Sequence, residues 1–449
     1  MGRASSRQGS TVGGVRAAKT VCVGDVLMLG SRDRLYRQRV SCLTRPNIMA
    51  QRSRPRTDSL PSHLRRSHVR RRSVIAAPLV LAGSRLLAAC AAAAGDEPWS
   101  GPPSTQSDVR LRALSYALLA PSAHNTQPWS VALSDRAIEL SIDRRRLLPQ
   151  TDPHFRQTHV SQGTFLELLV IALGALGHPA RVEYFPRGEY GSLIISDLPI
   201  ARVTFDSGTP TRDPLFAQIP ARRSNKRTYS GPAPSESQLS ALQHGVADPD
   251  ALCALRVVID PALRFQLSEL AARAMAAEVK LRARNVETAQ WFRFNREEIE
   301  VKRDGFRLEH NGRSLITQWY AETFVLDRES AADPNGAFAK GAIDLVREQA
   351  QSAPAFGVLT TSVNTRLSQV VAGRSYARLA LTAQSLGLAI HPLSQVAEEY
   401  ADMTPIRSEF ERAIALPAGH AVQMFFRLGH ADPTPHTPRR ELSTLIRKT

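Results

Sequence analysis

Cysteine is scarce in this 449-residue sequence: Cys22, Cys42, Cys90 and Cys253 are the four present. Only Cys253 lies beyond position 90, so the main part of the chain can build neither an internal disulfide nor a cysteine-based metal site. The 12 histidines never adopt His-x-x-x-His or His-Glu-x-x-His spacing, which leaves a zinc site without support. No Gly-x-Gly-x-x-Gly follows a strand pattern and no Walker loop occurs, which disfavours Rossmann and P-loop folds. Acidic residues are nearly missing from positions 1–90, where three Asp face 17 Arg and one Lys. That segment, 18 basic against 3 acidic, holds +15 of the chain's net +17. The remaining residues hold 40 basic and 38 acidic side chains. A basic surface covering a domain is the footprint of nucleic-acid binding. The body lacks one, so nucleic acid is not an expected partner. At 43% hydrophobic and 22% charged the chain is globular, and the body can bury one large core or two ordinary ones.

Residues 1–70 are rich in Arg, Ser and Gly and poor in large apolar residues, so no packed core is expected there. Two readings stand: a disordered leader, or an over-long start with the true first residue at Met49. Arg70-Arg71-Arg72-Ser73-Val74-Ile75 then runs into the apolar stretch Val74–Ala89. That stretch is shorter than the ~18–20 residues needed to span a bilayer. A basic region, a modest apolar region and small residues make the layout of an export signal over 71–94. The paired arginines resemble a twin-arginine signal. Leu87-Ala88-Ala89-Cys90 resembles a lipoprotein cleavage box, with lipidation at Cys90 the expected membrane attachment; Ala91–Ala94 offers an ordinary cleavage site instead. Arg85 inside the apolar run counts against both. The expected location is the periplasm or cell envelope if the signal is used, and the cytoplasm otherwise.

Positions 95–107 read as a linker. Leu111, Leu114 and Leu118 recur at helical spacing up to Ala120, and Pro121 ends that helix. Alternating residues on either side of Ser134-Asp135-Arg136 predict a hairpin. A long helix is predicted from about His159 to Leu176, stopped by Gly177. Strands follow at 180–185 and 199–205, and a turn-rich break at 206–214. Helices are predicted near 261–284 and 293–303, the second with a solvated charged face. A strand at 356–360, a long helix at 367–386 stopped by Gly387, and strands at 388–391 and 422–428 complete the pattern. The two Gly-stopped helices, each running into a strand, form a faint internal repeat.

The most distinctive run is Ala120-Pro121-Ser122-Ala123-His124-Asn125-Thr126-Gln127-Pro128-Trp129. It offers backbone N–H groups, hydroxyls and amides to a polar ligand edge. Taken alone it is also a Pro-punctuated connection with a buried Trp. The run resembles the flavin-binding loop of the nitroreductase family, and His before Asn resembles its Acg-type FMN-binding branch. Arg222-Arg223-Ser224-Asn225-Lys226 is similar to the family's basic Arg-x-Ser-x-Lys opening. Gly387 through Pro392, Leu393, Ser394 and Gln395 is similar to its Pro-containing flavin loop. Leu428-Gly429-His430 and then Pro438-Arg439-Arg440 are similar to its basic C-terminal tail. The resemblance covers about residues 108–445.

In ordinary family members the basic opening precedes the Pro-Ser loop, and two identical chains build two FMN sites across their interface. Here the loop lies in the first half and the basic opening in the second. The resemblance therefore implies an α+β, nitroreductase-like fold, duplicated and fused as a monomeric pseudo-dimer, with halves at 108–208 and 209–449 and one surviving FMN site. It implies cofactor contacts from Pro121, Ser122, Ala123, Asn125, Gln127, Arg222, Arg223, Ser224, Lys226, Pro392, Leu393, Ser394, Gln395, Arg439 and Arg440, and no metal. Arg222 and Arg439 or Arg440 suit the phosphate. Ser224 suits the phosphate or ribityl chain, and Lys226 the anionic reduced flavin. Backbone N–H groups at Ser394 and Gln395 suit the N5 edge, and Ser122 and Asn125 the ring or ribityl. Trp129 and Tyr229 are expected to pack, and His124 and His391 to be positioned groups rather than acid–base catalysts. The implied activity is NAD(P)H-dependent reduction of a quinone, nitro compound or similar small acceptor through FMN. Gln395 departs from the family's Glu-Gly pair, and the charged stretch 291–306 can cover the flavin as a lid. Both leave a flavin-sequestering protein without turnover as the alternative.

Overall fold

The computed structural model describes residues 97–211, 213–246, 252–311 and 327–447. The leader, the signal-like run and Cys90 lie outside the described residues. Helix α1 (Val109–Ala117) starts where Asp108 accepts a hydrogen bond from the Arg110 N–H at 2.8 Å. The predicted hairpin forms as β1 (Trp129–Ser134) and β2 (Ala137–Ile142), with Val131 opposite Leu140 and Leu133 opposite Ile138. Helix α2 (Arg156–Ala175) starts earlier than predicted, with Arg156 already buried. It ends as predicted. Gly177, at φ +85°, turns the chain so that the His178 N–H reaches back to the Leu173 carbonyl at 2.9 Å. Strands β3 (Ala180–Tyr184) and β4 (Ala201–Phe205) complete an antiparallel sheet in the order β1-β2-β4-β3.

The later residues repeat this plan with a large insertion. Helix α3 (Glu236–Gly245) is capped by a reciprocal Ser235–Gln238 pair. Strand β5 (Cys253–Val258) precedes α4 (Pro261–Val279), α5 (Arg282–Trp291), α6 (Arg296–Lys302), α7 (Arg328–Ala332) and α8 (Ala337–Gln351). Then come β6 (Ala355–Thr361), α9 (Arg366–Ser385), β7 (Ala389–Pro392), α10 (Thr404–Ala413) and β8 (Ala421–Gly429). The second sheet has the order β5-β6-β8-β7. In each sheet the long helix follows the second strand. Where β1 and β2 are joined by Asp135-Arg136, β5 and β6 are joined by α4–α8.

Equivalent residues keep the same offset between the halves. Arg156 opens α2 and Arg366 opens α9. Gly177 and Gly387 stop them, and the Leu388 N–H reaches back to the Ala383 carbonyl at 2.8 Å as His178 does to Leu173. Each opening arginine bonds backbone belonging to the opposite half. Arg156 donates to the carbonyls of Gln423 and Ala397, and Arg366 to those of His154 and Ser192. Helices α2 and α9 cross at Gly163 and Gly373. A Cβ on Gly163 would lie 1.9 Å from the Val370 carbonyl oxygen, and one on Gly373 2.0 Å from that of Val160. The first core takes in Val370, Ala377 and Leu381 from α9, so the halves share apolar packing.

Some expectations need correction. The helix predicted near 261–284 is two helices, broken at Lys280 and Leu281. The charged stretch beyond it is not solvated throughout. Arg296, Glu297 and Lys302 are exposed, but Arg293 and Asp304 form a buried ion pair. The linker is not featureless either, because Glu97–Ser100 forms a 3₁₀ turn that buries Trp99.

Replacing either crossing glycine forces two backbones apart. Gly163→Ala or Gly373→Ala is expected to destabilise the fold by about 3 kcal/mol or more. Gly341 in α8 has nothing within 4 Å of an added Cβ. Gly341→Ala should stabilise by about 1 kcal/mol through helix propensity. Denaturant midpoints of the three variants check both signs.

Candidate active site

A cavity of about 300 Å³ lies beside the α2–α9 crossing. Gln157, Val160, Ser161 and Thr164 of α2 and Tyr376 of α9 line it. Of the residues singled out from sequence, Pro121, Ser122, Ala123, Asn125, Arg222, Arg223, Ser224, Lys226, Pro392, Leu393, Ser394, Gln395 and Arg439 also line it. Gln127 and Arg440 do not. Gln127 is fully buried and its Oε1 accepts from the Arg440 N–H at 2.8 Å. The Arg440 guanidinium bonds the carbonyls of Gln127, Trp129 and Thr444. These two residues support the loop from behind.

The Pro121–Trp129 loop is strained. His124, Asn125 and Gln127 have φ of 47°, 52° and 52°, a left-handed conformation that non-glycine residues adopt only when surroundings impose it. The imposing contacts are visible. Ser122 Oγ accepts from the Gln127 N–H at 3.0 Å, and the Pro121 carbonyl accepts from Thr164 Oγ1 at 2.7 Å. The Asn125 amide donates to the carbonyls of Gly305 and Pro438, and its oxygen accepts from Arg439 Nη1 at 2.9 Å. Asn125 therefore ties the loop to the 291–306 stretch and the C-terminal tail. The Gly305 N–H donates in return to the Asn125 carbonyl at 3.2 Å. Phe306 lines the cavity and faces the His124 ring at 5.7 Å.

One end of the cavity is cationic. Arg222 and Arg439 are both buried. Their hydrogen bonds go to backbone carbonyls, to Asn125 and to the Thr437 hydroxyl, and among the described residues no carboxylate pairs with either. The Nε of each is buried without an acceptor. Burial pushes Arg222 down to about 10, and burial plus the charge of Arg222 pushes Arg439 well below the ordinary arginine value. Two guanidinium groups buried together without a counter-charge are costly, and an anion would relieve the cost. Lys226 is pushed down to about 8 by burial and then by Arg427, and its Nζ sits 4.8 Å from the Phe306 ring centroid. Burial, then the charge of Lys226, lowers His124 to about 4; His310 is lowered to about 3 for the same first two reasons. His391 is lowered as well, by burial and Arg427. All three stay neutral near pH 7.

At the other edge, the Leu393 N–H donates to the Phe425 carbonyl at 2.8 Å and opens the 3₁₀ turn Ser394–Ala397. The N–H groups of its first turn have no partner within the turn. Trp129 and Tyr229 pack as expected. The Trp129 indole is fully buried and donates to the Ser161 carbonyl at 2.8 Å; the Tyr229 hydroxyl donates to the Asn225 carbonyl at 2.9 Å.

Two functional residues escaped sequence reasoning. Trp99 lines the cavity, stacks on His436 at 4.1 Å and 6°, and lies under the guanidinium of Arg439 at 4.7 Å. A lone Trp in a Gly/Pro/Ser linker was its only signal. Arg427, on β8, is fully buried and bonds the carbonyls of Asn225 and Arg227, which fixes the loop that carries Lys226. It also donates to His391 Nδ1. A single Arg inside the apolar run 422–428 was a readable sign.

No protein-family profile matches the chain. A Mycobacterium tuberculosis protein provisionally named an NAD(P)H nitroreductase is 29% identical over 342 residues, covering 74% of this chain and 89% of that relative. PigM of Serratia sp., likewise provisionally named an NAD(P)H nitroreductase, is 28% identical over 349 residues, covering 75% and 92%. A Bacteroides fragilis nitroreductase solved with FMN covers 49% of this chain and 90% of its own at 15% identity, with a TM-score of 0.29. The chain is similar to these proteins. Among the described residues its helix and sheet content is mixed, and one four-stranded sheet plan is used twice.

The cationic end can be tested with inorganic phosphate. Phosphate should raise the Tm more than chloride at equal ionic strength. Arg222→Met removes one of two repelling charges, so it should keep the fold and lose most of the phosphate response. Thermal melts in the two salts check this.

Proposed function

We propose that this chain is an FMN-binding oxidoreductase that uses NAD(P)H to reduce a quinone, nitro compound or similar small acceptor. The observation that carries the reading is the buried Arg222–Arg439 pair, without a carboxylate partner among the described residues, beside the strained Ser122–Asn125 loop. The provisionally named nitroreductase relatives support it. Arg222 and Arg439 would hold the FMN phosphate and Ser224 the ribityl chain. Lys226 would stabilise the anionic reduced ring, and the N–H groups at Ser394 and Gln395 would face its N5 edge. When bound, FMN would supply hydride transfer through N5. We further propose one site per chain, shared by halves at 108–208 and 209–449 in a monomer. Export through the Arg71-Arg72 signal, with lipidation at Cys90 as the membrane attachment, belongs to the same proposal.

The purified chain should be yellow and hold about one FMN. Anaerobic titration with NADH or NADPH should bleach the flavin, and a quinone should restore it. A colourless chain that takes up no flavin overturns the reading.

The second reading is a flavin-holding protein without turnover. The reciprocal Asn125–Gly305 hydrogen bonds favour it, because they tie Gly305 to the loop next to Phe306, which lines the cavity. Export would also separate the protein from cytosolic NAD(P)H. Tight flavin binding with no bleaching by either nicotinamide selects this alternative.

A further inference from the structure

Reduction of a quinone or nitro group needs protons as well as electrons, and what the cationic end of the cavity offers is Lys226, pushed down to about 8 and already assigned to the charge of the reduced ring. The three histidines there are neutral near pH 7, and the arginines are held by backbone carbonyls. Glu278 is different. It lies near the end of α4, within the α4–α8 insertion that has no counterpart between β1 and β2. It lines the cavity at 7% exposure and hydrogen-bonds the Gln395 side chain. Gln395 is the residue whose N–H would face the reacting edge. The nearest cation does not neutralise the carboxyl, since Arg284 commits both Nη atoms to Asp402, at 2.8 and 2.6 Å.

Resting on the function proposed above, we propose that Glu278 is the proton donor to the acceptor in this cavity. The acceptor gains a hydride equivalent derived from the nicotinamide. As it does, the O–H bond of the Glu278 carboxyl breaks and a new O–H bond forms on the acceptor oxygen. The carboxylate left behind takes a proton back from water. The charged and titratable groups facing Glu278 are Arg284 and Glu287 of α5, with Glu398 and Tyr400 beyond Gln395. Burial dominates this set and pushes Glu278 from 4.5 up to about 7. The group is thus protonated in the range where a donor works well.

The test has two arms. In the first, stopped-flow mixing of reduced holoenzyme with a quinone should give a rate that falls tenfold per pH unit above about 7. Glu278→Gln should slow that step at least tenfold and flatten its profile, and Glu278→Asp should restore the slope. Flavin affinity and the rate of reduction by nicotinamide, which calls for no proton from Glu278, should change less than twofold. A flat wild-type profile, or equal slowing of both half-reactions in Glu278→Gln, overturns the proposal.

The second arm needs no flavin. A carboxyl protonated to about 7 in the folded chain and titrating near 4.5 when unfolded contributes stability that is whole below 4.5 and is lost as pH rises to about 7. Glu278→Gln should therefore melt several degrees above wild type at about pH 9 and close to it at about pH 4. No such divergence overturns the assignment even where flavin binds. Failure of flavin uptake overturns the function, and the donor role with it.

Discussion

The α2–α9 crossing is the constraint on which the site depends. Helices that meet through ordinary side chains stay 8–10 Å apart. Here Gly163 and Gly373 let each backbone touch the carbonyl of the other. Closer approach brings the Gln157–Thr164 face of α2 against residues of the later half, and the cavity forms there. Arg156 and Arg366 lock the crossing by reaching across it in both directions. A side chain at either glycine would widen the cavity and part the two sets of residues that line it.

The cavity is polarised along its length. Arg222, Arg439 and Lys226 supply charge at one end, and burial keeps the neighbouring histidines from adding more. Elsewhere in its wall is Glu278, whose carboxyl burial raises. Burial also raises Glu287 and Glu398, but these lie off the cavity and the protein holds them: Glu287 accepts from the Thr151 N–H and hydroxyl, and Glu398 pairs with Arg156. An anion would complete the cationic end, and a proton would complete Glu278. A ligand with a phosphate at one end and a redox-active ring at the other would match this gradient.

Much of this was legible in the sequence because local patterns carried it. The hairpin on either side of Asp135-Arg136, the glycine stops at Gly177 and Gly387 and the apolar strand at 422–428 depend on neighbouring residues only. The lining residues from Pro121 to Asn125, Arg222 to Lys226 and Pro392 to Gln395 were found through a resemblance, since no composition or spacing rule points to them. What stayed hidden is non-local. Strand β5 was missed because only its tertiary partner β6 makes its Cys253–Val258 alternation a strand. Helix α8 buries Ala339, Val346 and Ala350, a sparse stripe of mostly small residues. Trp99 could not be placed from a linker sequence, because its role is set by His436 and Arg439, more than 330 positions away. Arg440 resembled a phosphate ligand by its position in the motif, but it turns away because Gln127 and Trp129 offer it carbonyls.

The two sheets share a framework and differ in what joins their strands. Arg156 with Arg366, Gly163 with Gly373 and Gly177 with Gly387 are matched pairs at one offset, and the crossing needs both partners of each pair. The two-residue turn between β1 and β2 kept the first sheet simple, whereas the equivalent point between β5 and β6 admitted α4–α8, with Glu278, the Arg293–Asp304 pair and Phe306. The insertion lies over the cavity formed at the crossing. The repeated geometry is thus in the helices that build the cavity, and the lining side chains without a counterpart are in the segment between β5 and β6.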